Sequence, residues 1–140
     1  VAIVIGKAGR RIAQADAYDH IAAITVCNEG TIRDWVRHAK FNVTQGKNWD
    51  NSAAMGPWLV PFTDPSQLDD ARIITRVNAE VRQDDVLSRM MHPIRREIEY
   101  ISTFMTLMHS IKLRTVLCFQ ARCLWLIKST PNVFLIWMIG

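Results

Sequence analysis

Charged side chains that could take part in chemistry stand close together in residues 28–34 and again at residues 46–47. The first segment contains Glu29, Arg33 and Asp34, and the second contains Lys47. Taken alone, Glu29 fits a solvated loop carboxylate and Lys47 fits a surface lysine, because charged side chains are mostly exposed in folded proteins. Any catalytic or binding role for these four residues therefore depends on what surrounds them.

The spacing of other reactive residues argues against several kinds of site. The four histidines show no H-x-x-x-H pair and the three cysteines no C-x-x-C pair, so neither a zinc site nor a disulfide framework is indicated. Residues 6–9 (Gly-Lys-Ala-Gly) lack the first glycine and the Ser or Thr of a phosphate-binding loop. A nucleophilic Cys–His pair stays open, and Ser52 fits a turn former better than a nucleophile. Unpaired thiols fit a reducing compartment, so a cytoplasmic location is predicted.

The excess positive charge of the chain comes from its last segment, residues 109–140. The formal net charge is +4, from 17 Lys and Arg against 13 Asp and Glu, and residues 1–108 carry equal numbers of both signs. A neutral body does not fit a nucleic-acid surface, on which Lys and Arg cluster on one face. The apolar stretches after residue 115 are shorter than the roughly 20 residues of a membrane span, so no membrane partner is predicted.

The first half of the chain predicts short elements separated by polar loops. The β-branched run of residues 1–5 predicts a buried strand, and residues 21–27 fit either a strand or a continuation of the preceding helix. Thr31 offers an N-cap for a helix that continues to about His38. The remaining features are helical turns at residues 14–20 and a long polar loop at residues 42–57.

The second half predicts a hairpin and an amphipathic helix. Strands are expected at residues 58–60, 71–77 and 80–83, the last two joined by Asn78-Ala79, where Ala fits a tight turn less well than Gly. Apolar residues recur at helical spacing through residues 93–105, which predicts a helix with its charged residues, Glu97 among them, mostly on the exposed side. Together these elements predict an α+β, mainly β domain.

Five ordered sequence blocks resemble the fumarylacetoacetate hydrolase family, in its C-terminal catalytic domain. They are NEGTIRD at 28–34, GK at 46–47, MGPWLV at 55–60, VNAEVRQ at 77–83 and EYISTFMTL at 99–107. Within the family they are most similar to the branch of 2-hydroxyhepta-2,4-diene-1,7-dioate isomerases and 5-carboxymethyl-2-oxo-hex-3-ene-1,7-dioate decarboxylases. The resemblance implies an incomplete part of a mixed β-sandwich roll over residues 1–108.

The resemblance also implies a metal-dependent site. Family members hold Mg²⁺ or Mn²⁺ with three carboxylates, and the ion binds the 2-oxo-carboxylate of the substrate as a Lewis acid. Glu29 stands where the family usually has a metal-binding Asp, and Lys47 matches the family's active-site lysine. Arg33 and Asp34 match an Arg-Asp pair of the family, and we assign these two residues a supporting or substrate-binding role.

Both ends of the sequence depart from the family pattern. The Glu-x-Glu pair that supplies the other metal ligands would directly precede Val1 and is therefore expected to be absent from this chain. After residue 108 the family's Pro-Gly-Asp turn and Gly-Thr loop do not follow. We therefore expect residues 109–140 to be a basic, apolar tail of other origin, such as a frame change.

These observations leave several functions open. The resemblance favours a metal-dependent isomerase or decarboxylase of 2-oxo (enol) dioic acids in aromatic-acid catabolism, with an acylpyruvate-type C–C hydrolase as the alternative. A non-catalytic remnant and a basic interaction module are also compatible with the sequence. The expected partners are a small 2-oxo acid and a second copy in a homodimer, without nucleic acid or membrane.

Overall fold

The computed structural model describes residues 1–38, 44–69, 71–109, 115–120, 123–129 and 133–138, and it describes side chains up to residue 109 except at residues 29, 37, 38 and 44. The structure mixes short helices with small sheets, in agreement with the predicted α+β class. The sandwich-roll arrangement stays a prediction.

The strands are β1 (Ala2–Ile5), β2 (Ile21–Thr25), β3 (Cys27–Glu29), β4 (Ala53–Met55), β5 (Val60–Pro61), β6 (Arg72–Val77), β7 (Glu80–Val86), β8 (Thr115–Gln120), β9 (Cys123–Ser129) and β10 (Val133–Met138). The α-helices are α1 (Arg33–His38), α2 (Thr44–Lys47), α3 (Ser66–Asp69) and α4 (Ile94–Phe104), and 3₁₀ helices span Gln14–His20 and Leu87–Arg89.

Strand β1 lies inside a six-stranded sheet of order β10-β9-β8-β1-β2-β5. It pairs antiparallel with β2 on one side and with β8 on the other. Each of its four residues is buried, which explains why the sequence is apolar without alternation: a strand covered on both faces has no exposed side. The predicted strand at residues 1–5 is confirmed, and residues 21–25 prove to be its neighbour in the sheet.

The main core lies between this sheet and α4. Ile3 and Ile5 from β1 belong to one buried cluster with Ile98 and Ile101 from α4, and Leu107 joins them. The helical spacing predicted from the sequence is thus confirmed, since an apolar stripe at this spacing turns to one side. The helix α4 also packs against the 3₁₀ helix Gln14–His20.

Ser102 ties α4 to the segment that follows β1. Its hydroxyl donates to the Glu99 carbonyl at 2.8 Å and accepts the Ile12 N–H at 2.9 Å, while its own carbonyl accepts the Arg11 N–H at 2.8 Å. Ser102 is fully buried, and a buried donor or acceptor is costly when it has no partner. This side chain therefore fixes how α4 sits against β1.

Glu97 departs from the predicted exposed side of α4. It is 5% exposed because it lies three residues after Ile94 and four before Ile101, the spacings that share one helix face. The prediction was wrong because it used residue type where spacing decides. Burial raises the pKa of the Glu97 carboxyl above its ordinary value of 4.5, while electrostatic interactions with His92 and Arg96 act in the opposite direction.

Replacing Glu97 with Gln should stabilise the protein more at neutral than at acidic pH. Because the folded-state pKa of Glu97 is raised, its contribution to stability is fully present below 4.5 and is lost as the pH rises through the folded-state pKa. Gln does not ionise, so its contribution to stability does not fall as the pH rises. Urea unfolding at about pH 4 and about pH 7 measures the difference.

Glu99→Gln on the same helix is the matched control, and its effect on stability should change with pH in the opposite direction. Hydrogen bonds from Arg96 and Gln14 lower the pKa of Glu99, so this substitution should destabilise the protein more at neutral pH. A Glu97→Gln variant whose relative stability is the same at both pH values would contradict the assignment.

The predicted hairpin is confirmed and β7 is longer than expected. Strands β6 and β7 pair antiparallel and form a two-stranded sheet. Asn78 and Ala79 both have positive φ, 50° and 68°, which is the conformation that a two-residue turn of this kind requires. Ala79 therefore occupies a conformation that glycine adopts more easily.

Two predictions about residues 42–60 were wrong. The expected loop contains α2 and β4, and the expected strand at 58–60 is reduced to β5, which begins at Val60. Elements of three or four residues are too short to show a period in the sequence, and contacts with the rest of the chain determine them.

Residues after 109 contribute β8, β9 and β10, which continue the main sheet beside β1. The separate origin of residues 109–140 stays a prediction. Cys118 and Cys123 have side chains outside the described part, and the side chain of Cys27 is partly buried. Over the described residues, helices fall short of the length and apolarity that crossing a membrane requires.

Candidate functional site

The end of strand β3 places Glu29. Strand β3 pairs antiparallel with β4, with Glu29 opposite Ala53. The next residue, Gly30, donates its N–H to the Ser52 carbonyl at 2.7 Å. A Cβ atom on Gly30 would lie 2.8 Å from that same oxygen, so the close approach requires glycine. The Glu29 side chain itself lies outside the described part of the structure.

Helix α2 places Lys47, which is 6% exposed. This helix has four residues, and so short a helix is not stable by itself. The last carbonyls of a helix also have no partner within it. Here the carbonyls of residues 45, 46 and 47 each accept a hydrogen bond from outside the helix. The donors are, in order, the Trp49 indole N–H at 2.7 Å, the Ile32 N–H at 2.9 Å and the Ser52 hydroxyl at 3.1 Å.

We call these three donors the α2 clamp. Ser52 belongs to the clamp through its hydroxyl and holds Gly30 through its carbonyl. The backbone next to Glu29 and the backbone of Lys47 are therefore both bonded to one residue. Gly30 and Lys47 are thus linked through Ser52, although a polar segment separates them in the chain.

Gly46 allows α1 and α2 to touch. A Cβ atom on Gly46 would lie 2.2 Å from Cγ2 of Val36 and 3.2 Å from the Ile32 carbonyl oxygen. Such a distance is far inside normal contact, so a larger residue would push the two helices apart. The glycine before Lys47 is therefore needed for packing.

Arg33 and Asp34 occupy the first turn of α1 and are both exposed. Their helix contacts α2 through Gly46. Their assigned roles, in supporting the site or in binding a substrate, both stay predictions.

Two tryptophans cover the outer side of the α1–α2 pair. The rings of Trp35 and Trp49 have centroids 5.4 Å apart and are tilted by 57°. Both are about two-fifths exposed, at 41% and 43%. The sequence did not indicate this contact between two partly exposed rings.

The α2 clamp was missed by sequence reasoning. Ser52 was predicted to form a turn, and its N–H does bond the Trp49 carbonyl at 3.2 Å. Its second role depends on a bond from its hydroxyl to Lys47. A polar loop containing Ser and Trp carries no pattern that would identify these carbonyl partners, so there was no signal to use.

The described residues do not by themselves make a complete site for a divalent cation. Mg²⁺ and Mn²⁺ prefer oxygen ligands, and the carboxylate of Glu29 is suitable in kind. Among the side chains that the structure describes, however, no three of His, Cys, Asp and Glu lie close enough to hold a metal ion.

An apolar cavity of about 370 Å³ lies at the opposite end of the β3–β4 ladder. Val26, Pro57 and Trp58 line it, and the Gly56 N–H bonds the Val26 carbonyl at 3.0 Å just beyond the ladder. An apolar lining does not suit a dianionic ligand. Lys47 is not among the lining residues, so the cavity lies apart from this lysine.

Comparison with known proteins identifies what the chain is similar to. A profile of the family described as "Fumarylacetoacetate (FAA) hydrolase C-terminal" matches residues 1–110. Oxaloacetate tautomerase YisK of Bacillus subtilis is 42% identical over 108 residues, which cover 76% of this chain and 35% of YisK. The 4-hydroxyphenylacetate degradation bifunctional isomerase/decarboxylase of Salmonella dublin is 34% identical over 105 residues, covering 75% of this chain and 24% of that protein.

A solved structure has a similar fold. It is the fumarylpyruvate hydrolase from Pseudomonas aeruginosa in complex with Mn²⁺ and pyruvate, with a TM-score of 0.65, 28% identity, and coverage of 76% of this chain and 46% of that one. The chain thus spans about a third of YisK and about a quarter of the bifunctional enzyme.

Proposed function

This chain belongs to the fumarylacetoacetate hydrolase C-terminal family, and on that premise we propose that it supplies part of the active site of a metal-dependent isomerase or decarboxylase. The proposed substrates are 2-oxo (enol) dioic acids. A tautomerase of oxaloacetate and a bifunctional isomerase/decarboxylase are among its relatives. Keto–enol exchange and isomerisation of a 2-oxo acid, and loss of a carboxylate β to its 2-oxo group, pass through an enolate, so one site that stabilises this anion suits all three.

The burial of Lys47 is the observation that carries the proposal. A lysine 6% exposed at the end of a clamped helix is held in one place before any substrate arrives. A fixed cation stabilises developing negative charge more effectively than water does, because it need not reorganise during the reaction. We assign Lys47 the role of binding the enolate or carboxylate oxygen of the substrate.

We further propose that Glu29 is one ligand of a Mg²⁺ or Mn²⁺ ion. When bound, such an ion would polarise the 2-oxo-carboxylate as a Lewis acid. Mn²⁺ occurs with pyruvate in the fumarylpyruvate hydrolase of similar fold, which supports a divalent cation here.

We propose that the protein acts in the cytoplasm as a homodimer. Its proposed partner is a small-molecule substrate, without nucleic acid or membrane. An acylpyruvate-type C–C hydrolase is the second candidate, favoured by the likeness to fumarylpyruvate hydrolase. Assays with oxaloacetate and with an acylpyruvate separate the two enzymes. Turnover of neither substrate would favour a non-catalytic remnant.

Titration calorimetry with Mn²⁺ tests the role of Glu29. Glu29→Gln should weaken Mn²⁺ binding by at least about 10-fold, since it removes a charged ligand and losing even an outer partner typically costs that much. The matched control is Glu80→Gln, because Glu80 is an exposed carboxylate paired with Arg82 at 2.9 Å in the hairpin. Equal Mn²⁺ affinity in the Glu29→Gln variant and the wild type would exclude Glu29 as a ligand.

A further inference from the structure

The segment that follows Lys47 folds back onto the helix that carries it. Trp49 donates its indole N–H to the Gln45 carbonyl at 2.7 Å, and Ser52 donates its hydroxyl to the Lys47 carbonyl at 3.1 Å. Ser52 also donates its N–H to the Trp49 carbonyl at 3.2 Å. Asn51 between them has a φ of 58°, a left-handed conformation that lets the chain reverse. Residues 45–52 therefore form one closed, internally bonded unit.

We propose that Ser52 and Trp49 are positioning residues for Lys47, an inference that rests on the proposed function for the role of Lys47 itself. Neither side chain is assigned to touch the substrate. Each holds a carbonyl of α2 that no intrahelical N–H can reach. By fixing the backbone at residues 45 and 47, the two donors fix the direction in which the Lys47 side chain leaves the helix.

The position of Ser52 extends this role to the other half of the site. Its carbonyl accepts the Gly30 N–H at 2.7 Å, so a shift of Ser52 would move the end of β3 as well as the end of α2. The spacing between the Glu29 and Lys47 backbones is thus set through one residue. A site that binds both ends of a small acid needs this spacing held closely, since misplacement of even about 1 Å can lower a rate about 100-fold.

The side chains can be changed without removing the backbone contacts. Ser52→Ala removes the hydroxyl and keeps the carbonyl that binds Gly30, whereas Ser52→Thr keeps both. Trp49→Phe removes the indole N–H and keeps an aromatic ring next to Trp35. Thr103→Val is the matched control, because its hydroxyl donates to the Tyr100 carbonyl at 2.7 Å on α4, outside the site.

Competitive acetylation of lysines, followed by mass spectrometry, measures how firmly Lys47 is held. The ratio of Lys47 to Lys7 labelling should rise about 2- to 10-fold in Ser52→Ala and in Trp49→Phe, the change in local opening expected from one lost hydrogen bond. Lys7 is exposed and serves as the reference in the same molecule. Ser52→Thr and Thr103→Val should keep the wild-type ratio.

An unchanged ratio in Ser52→Ala, or an equal rise in Ser52→Thr or Thr103→Val, would overturn the positioning role. A second measurement separates positioning from general stability: with Mn²⁺ present, Ser52→Ala should bind oxalate about 10-fold more weakly while its Mn²⁺ affinity stays within about 2-fold of the wild type. Oxalate affinity equal to that of the wild type would also contradict the role. If the wild type binds no oxalate, the proposed function is wrong, and the labelling ratio still decides whether Ser52 and Trp49 hold Lys47.

Discussion

Replacing Lys47 with Met should lower the rate of the proposed enolate-forming reaction, assayed with oxaloacetate, by about 100- to 1,000-fold, the usual effect of removing one fixed donor to a developing oxyanion. Lys47 is buried, and the end of its helix is held by the α2 clamp. Met retains most of the length of the aliphatic stem and therefore most of its packing. The initial rate of enol loss, followed by absorbance, is the measurement.

Two variants show whether the charge of Lys47 or its mere presence matters. Lys47→Arg keeps the charge but differs in shape and should recover part of the rate. Lys7→Met removes an exposed lysine and should leave the rate within about 2-fold, as surface substitutions usually do. A Lys47→Met variant with a wild-type rate and a wild-type urea midpoint would show that this lysine takes no part in the reaction.

The elements that sequence predicted correctly are those whose pattern is long enough to read. Helix α4 spans eleven residues, and the fully buried β1 needs no alternation, so its apolar run alone identified it. The hairpin followed from two strand-like runs separated by Asn78 and Ala79. In each case neighbouring residues in the chain determine the structure, and a local pattern therefore contains the information.

The sequence suggests residues for the candidate site but says nothing of how the site is built. Ordered sequence blocks pointed to Glu29 and Lys47, yet nothing local indicates that Ser52 bonds both sides of the site. The four-residue helix that carries Lys47 exists because donors from other parts of the chain complete it. Elements that depend on such contacts leave no period in the sequence.

Glu97 shows the opposite case, in which the signal was present and was overruled. Its spacing from Ile94 and Ile101 places it on the apolar stripe of α4. Its residue type favoured exposure, because Glu is rarely buried. Position in the helix therefore decides burial more strongly than residue type does when the neighbours on the same helix face are buried in the core.

Replacing Ile98 with Ala should lower the free energy of unfolding by about 2–5 kcal/mol, the range for removing a large aliphatic side chain from a packed core. Ile98 is fully buried, in one cluster with Ile3 and Ile5 of the central strand. The Ala side chain would leave a cavity between α4 and the sheet that neither can close without moving β1. The better helix propensity of Ala offsets less than about 1 kcal/mol of this loss. Urea unfolding, analysed at constant slope, is the measurement.

A graded pair of variants makes the origin of this loss clear. Ile98→Val removes one methyl group and should cost about 0.5–1.5 kcal/mol, whereas Met91→Ala, at a position 81% exposed, should stay within about 0.5 kcal/mol of the wild type. Equal losses for the Ala and Val variants would mean that packing at Ile98 does not determine stability. Because Ile98 has no bond to the α2 clamp, the labelling ratio of Lys47 to Lys7 in the native state should remain unchanged in both variants. Loss of global stability and loss of Lys47 positioning are then separable properties of the same chain.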